Sequence, residues 1–147
     1  MESRLRLKNS YLVKTGGSLV VIGIGIDLIE ISRVKRAIEN PNFVQRVFTP
    51  AERVYCDSRG RQGAASYAAR FSAKEAVMKA LGTGLAGGGT WQDIEVLPDE
   101  MGKPVLQLSG VFLQLAQQLK VAKIFVSLSH CQKYATAQVL LWRGESG

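Results

Sequence analysis

The chain is short of cysteine, of acidic residues and of long apolar runs, and each shortage removes a class of protein. Its two cysteines, Cys56 and Cys131, stand far apart in 147 residues and without CxxC spacing. Neither a disulfide framework nor a cysteine zinc site is expected, and a reducing, cytoplasmic setting is. No apolar run approaches the roughly 18–20 residues that a membrane span requires. Arg4, Arg6, Lys8 and Lys14 open the chain, but no continuous apolar core follows them before Leu19, which argues against a signal peptide. Two phosphate-binding fingerprints are also incomplete. Gly23-Ile24-Gly25 lacks the third glycine of a dinucleotide site, since Leu28 stands there, and the glycine-rich stretch 82–89, GTGLAGGG, lacks the lysine of a P-loop.

Acids number 12 against 19 basic residues, a net charge of +7. The excess is local. Residues 28–79 hold ten Lys/Arg against five Asp/Glu, residues 80–147 balance at five each, and residues 1–19 carry four basic groups and one acid. A basic half points to an anionic partner, whether nucleic acid, a phosphorylated metabolite or an acidic protein. The aromatics of that half, Phe43, Phe48, Tyr55, Tyr67 and Phe71, stand mostly at core-like positions rather than interleaved as a base-stacking surface, so a nucleic-acid partner is not expected.

The length and 46% hydrophobic content suit one domain with an ordinary core. Residues 1–19 read as an N-terminal extension ending at Gly16-Gly17-Ser18, and 20–147 as a single domain. β-Branched residues predict a buried strand over 20–26, followed by a short helix over 31–39 with Ile31, Val34 and Ile38 inward and Arg33 and Arg36 together on the solvent side. Asn40-Pro41 starts a second helix, and Thr49-Pro50-Ala51-Glu52 forms a capping box for a third. The longest helix spans about 64–81, with Gly82 as its left-handed cap. Strands follow at 91–97 and 104–108, then a helix at about 110–119 and strands at 123–129 and 134–142, with His130 at the last turn. Short turns between neighbouring strands predict antiparallel pairing and an α+β fold.

Two carboxylates stand out. Asp27 directly follows the aliphatic run Val20-Val21-Ile22-Gly23-Ile24-Gly25-Ile26, where an ionised group needs a partner. It either caps the next helix or takes part in chemistry. Glu75 lies between the apolar and polar stripes of the long helix, and Lys79, one turn on, is either its surface ion-pair partner or a phosphate ligand. If the fold joins Asp27 and Glu75, a proton or a cation must relieve their repulsion. Magnesium suits such a pair, because it takes one or two carboxylates and fills its other positions with water and substrate phosphate. Ser129-His130 cannot form a nucleophilic dyad, since adjacent strand residues point to opposite faces. His130 is a turn residue or a phosphate donor.

In chain order GIGIDLIEISRV, FTPAER, ARFSAKEAVMKALGTG, WQDIEVLPDEMGKP and VSLSHCQKYATAQVLL closely resemble the small bacterial members of the 4′-phosphopantetheinyl transferase superfamily, from about Val21 to Trp142. The resemblance implies an antiparallel sheet packed on one long helix and several short ones, and homotrimers with each active site between two subunits. It implies that Asp27 and Glu75 ligate magnesium at the coenzyme A pyrophosphate. It makes Asp27, Glu75 and Lys79 the catalytic group and Lys79, Gly82, Lys103, Pro104 and His130 the coenzyme-A-binding residues. Arg33, with Arg36 beside it, matches the surface that meets an acidic apo-acyl-carrier protein, whose serine would receive the phosphopantetheine in support of fatty acid synthesis. The proton acceptor is then Glu75 or a magnesium-bound water it orients. Two other readings use the same features: a metal-dependent phosphohydrolase and a non-catalytic nucleic-acid module. Residues 1–19 have no counterpart in the resemblance.

Overall fold

A computed structural model describes residues 20–144; the expected extension, 1–19, lies outside the described residues. The first strand, β1 (Val20–Glu30), runs without a loop into helix α1 (Ile31–Ala37). Helices α2 (Pro41–Val47) and α3 (Pro50–Asp57) follow, then a 3-10 turn, Gly60–Gln62, and the long helix α4 (Gly63–Leu81). Two further 3-10 turns, Leu85–Gly87 and Trp91–Asp93, lead to β2 (Ile94–Pro98) and β3 (Pro104–Leu108). Helix α5 (Gly110–Gln118) and strands β4 (Lys123–His130) and β5 (Tyr134–Arg143) complete the described chain.

The local signals act as the sequence predicts. The Asn40 side chain accepts the Asn42 N–H at 2.9 Å and Pro41 fills the first helical position of α2, relieving the orphan donors of a helix start. At α3, Thr49 Oγ1 accepts the Glu52 N–H at 3.2 Å while Glu52 Oε1 accepts the Thr49 N–H at 2.8 Å. Gly82 ends α4 at φ 76°, where a side chain would be strained.

All strand pairs are antiparallel, but they make two sheets, β1-β5-β4 and the hairpin β2-β3. Helix α4 packs on the inner face of the three-stranded sheet through Ala73, Ala76, Val77 and Ala80, against Val139 and Leu141 of β5. A second cluster joins Val34, Val47, Phe48, Tyr67 and Ala68 under helices α1 to α3. Three expectations need correction. Residues Trp91–Asp93 turn before β2 starts, because Thr90 and Asp93 cap each other there. His130 is the last residue of β4, paired with Ala135, rather than part of the turn. And β1 does not end at residue 26: Asp27 to Glu30 pair with Ala137 to Tyr134.

Candidate active site

That last correction removes the capping reading of Asp27. It lies inside a strand, and α1 is preceded by Glu30, whose side chain makes no cap bond. Alternation sets Gly23, Gly25 and Asp27 on the inner face of β1, with Ile24, Ile26 and Leu28 outward. A Cβ on Gly23 would overlap the carbonyl of Ala80, and one on Gly25 the carbonyl of Ala76. The glycines are there because strand and helix backbones touch. The alanines of α4 meet them for the same reason, and the close seam sets Asp27 beside the rim of the helix.

Glu75 and Lys79 occupy that rim. The Lys79 ammonium donates to Asp27 Oδ1 at 3.1 Å and to the Ile26 carbonyl at 2.9 Å. The expected Glu75–Lys79 pair thus gives way to a bond across the seam. The Asp27 side chain is 16% exposed and that of Lys79 53%, which keeps the ammonium accessible to a ligand. Burial pushes the Glu75 carboxyl above its ordinary range, the Asp27 charge adds to the rise, and Lys79 opposes it. Two neighbouring carboxylates, one of them destabilised as an anion, fit a cation. Among the described residues no cluster of three or more His, Cys, Asp or Glu could hold a metal; a two-carboxylate donor set fits only an ion that takes few protein ligands and binds substrate oxygens as well.

The other predicted residues are spread out. Gly82 caps α4 three residues after Lys79. Lys103 and Pro104 lie at the β2–β3 turn, where Asp99 Oδ1 accepts the N–H groups of Met101 and Lys103 at 2.8 and 2.9 Å. His130 shares the inner face with Asp27 but sits on β4, two strands away from β1, or roughly 10 Å across the sheet. It lines a cleft of about 880 Å³ with Lys35, Arg61, Lys133, Tyr134 and Glu30, a basic hollow where the sequence offered only the histidine. Arg33 and Arg36 are exposed on α1, and a second groove of about 500 Å³ adds Arg46 and Phe43 from α2. Arg46 escaped the sequence reading because no spacing rule links residues on two short helices.

A buried ion pair escaped it too. Lys74 and Glu52 are both fully buried, with Nζ 2.7 Å from Oε1. Lys74 also donates to the carbonyls of Val47 at 2.6 Å and Trp91 at 3.1 Å. Glu52 Oε2 accepts the Val96 N–H at 2.8 Å. Burial lowers the proton affinity of the Lys74 amine, and Glu52 counters it. Every ammonium donor is satisfied, which a buried charge requires.

Paired carboxylates beside an accessible lysine suit a phosphate-bearing substrate held with a cation. The chain belongs to the 4′-phosphopantetheinyl transferase superfamily, whose sequence model matches residues 23–139. It is 56% identical over 118 residues to the holo-[acyl-carrier-protein] synthase of Moorella thermoacetica, covering 80% of this chain and 91% of that one. With the enzyme of the same name from Ruminiclostridium cellulolyticum it shares 48% identity over 125 residues, or 84% of this chain and 93% of the relative. The fold matches the Bacillus anthracis holo-(acyl-carrier-protein) synthase crystallised with CoA (3′,5′-ADP), with a TM-score of 0.71 and 34% identity, covering 86% of this chain and all of that one.

Proposed function

We propose that the chain transfers the 4′-phosphopantetheine group of coenzyme A to a serine of apo-acyl-carrier protein, giving the holo-carrier and adenosine 3′,5′-bisphosphate for fatty acid synthesis. The observation that carries this reading is the Asp27–Glu75–Lys79 group at the glycine seam, in a chain of this family. Asp27 and Glu75 would hold a magnesium ion, which supplies charge neutralisation at the pyrophosphate. Lys79 is free to turn from Asp27 to a phosphate oxygen and stabilise charge as the bond to the leaving nucleotide breaks. The serine proton would pass to Glu75 or to a water that Glu75 orients. The nucleophile arrives on the carrier, which is why the site needs none of its own.

Arg33 and Arg36 would dock the acidic carrier, and Gly82, Lys103, Pro104 and His130 would serve the coenzyme. The outer face of the three-stranded sheet supports a homotrimer: Val21, Ile24, Ile26, Leu28 and Phe125 are exposed there as one apolar surface. Such an assembly accounts for the separation of His130 from Asp27, since a neighbour's basic cleft can meet the carboxylates of the first copy. Among the described residues no helix is long and apolar enough to cross a membrane.

The test is to incubate the protein with apo-acyl-carrier protein, coenzyme A and magnesium. Mass spectrometry should find the carrier heavier by one phosphopantetheine and the bisphosphate released, and neither when the metal is chelated. Hydrolysis of coenzyme A without any carrier would instead establish a phosphohydrolase.

A further inference from the structure

We infer that Lys74 is a positioning residue for the transfer reaction, setting the rotation of α4 that aims Glu75 at Asp27. The inference rests on the reading of Asp27 and Glu75 as metal carboxylates. At 100° per residue, three directions matter on this helix. Ala76 and Ala80 point to β1, where the glycine contact fixes how closely the helix approaches. Lys74 points almost the opposite way, into Glu52 and the carbonyls of Val47 and Trp91. Phe71, Glu75 and Lys79 form the stripe between them. A glycine seam fixes distance but tolerates roll, because its contacts are between smooth backbone surfaces. Three hydrogen bonds from one buried ammonium resist roll, since each has a fixed direction.

The same ammonium ties the rest of the site to the helix. Val47 ends α2, directly after Arg46 of the basic groove. Trp91 stacks on Phe71 at 5.0 Å between ring centroids, one turn before Glu75. Glu52 in turn holds the start of α3 through the Thr49 N–H and the hairpin through the Val96 N–H. An apolar residue would fill the same volume, yet the chain keeps a buried ion pair, which is often no more stabilising than such a replacement.

Removing Lys74 alone strands a buried carboxylate, so Lys74→Met is expected to unfold and is uninformative by itself. The informative variant is Glu52→Gln/Lys74→Met, which removes both charges and retains the shapes. Binding of Mn2+ in the presence of coenzyme A, followed by electron paramagnetic resonance, reads the carboxylate geometry without turnover. We expect a folded double variant whose Mn2+ dissociation constant rises about 10-fold and whose kcat falls by a similar factor, as for other groups that orient metal ligands. The KM for coenzyme A should change much less. Wild-type Mn2+ affinity and kcat in a folded double variant, even one with a lowered Tm, would overturn the inference. An unfolded double variant would also count against it, by making the pair a stability element alone. Failure of the underlying reading looks different: the wild type itself would neither bind Mn2+ nor transfer the group.

Discussion

The two faces of β1 use the same alternation for opposite ends. On the inner face, Gly23 and Gly25 give up side chains so that α4 can come close, and Asp27, next in the series, bonds Lys79 and lies near enough to Glu75 to raise its proton affinity. On the outer face, Ile24, Ile26 and Leu28 give the strand its aliphatic character, yet each is about 60% exposed. The apolar positions of this strand are therefore not its buried ones. The inner face is packed by α4 of the same chain. The outer face is complete only if something covers it, and a second and third copy do so on the proposed reading.

The sharpest break in this comparison is Asp27→Ala or Glu75→Ala. Loss of a metal carboxylate worth several kcal/mol should lower transfer about 1,000-fold or more in a protein that still folds, as read by single-turnover kinetics and circular dichroism. Gly25→Ala tests the seam itself. Overpacking of about 3 kcal/mol should lower Tm by on the order of 10 °C, and transfer should fall as helix and strand separate; an unchanged melt would show that the seam yields. On the other face, Ile26→Asp should give a monomer by light scattering and lose most activity, whereas an active monomer would mean that the site needs no neighbour. Arg33→Glu should raise the KM for carrier protein about 10-fold with little change for coenzyme A, and added salt should weaken the wild-type carrier interaction in the same way.

The smallest effect concerns Glu75 without metal. Its folded proton affinity is raised, so ionisation costs folding stability at neutral pH. That cost disappears as pH falls below the ordinary value of 4.5, where the group is neutral folded and unfolded alike. Glu75→Gln should therefore raise the apo-protein Tm by a few degrees near pH 7, and the gain should shrink to nothing towards pH 4 in thermal melts.

Elements with local causes were legible in the sequence: the Asn40 and Thr49 caps, the Gly82 stop and the α4 helix are each decided within four residues. Asp27 and Glu75 were legible as odd carboxylates, and the family resemblance joined them. The continuation of β1 past residue 26 was not, because its partners Ala137 to Tyr134 lie about a hundred residues away and no propensity marks them. Distance along the chain also hid the Lys79–Asp27 bond, 52 residues apart, and the Lys74–Glu52 pair, 22 apart. In both, a side chain that local rules assign to a solvated helix face is claimed by tertiary structure. The division into two sheets followed the same logic: β3 and β4 are neighbours in order, but α5 intervenes and they do not pair.

The direct passage of β1 into α1 makes the molecule a gauge. From Asp27 to Arg33 the chain runs through the last residues of a strand and the first turn of a helix, roughly 15 Å of backbone with no hinge. The junction is clamped by the Ile31 N–H to the Lys133 carbonyl at 2.8 Å. On the proposed reading, a carrier gripped at the arginines would have its serine held at one fixed reach from the carboxylates. Proteins whose acidic surface and serine are spaced differently would then grip equally well and still present the hydroxyl to empty solvent, so discrimination would fall to length rather than to strength of attraction.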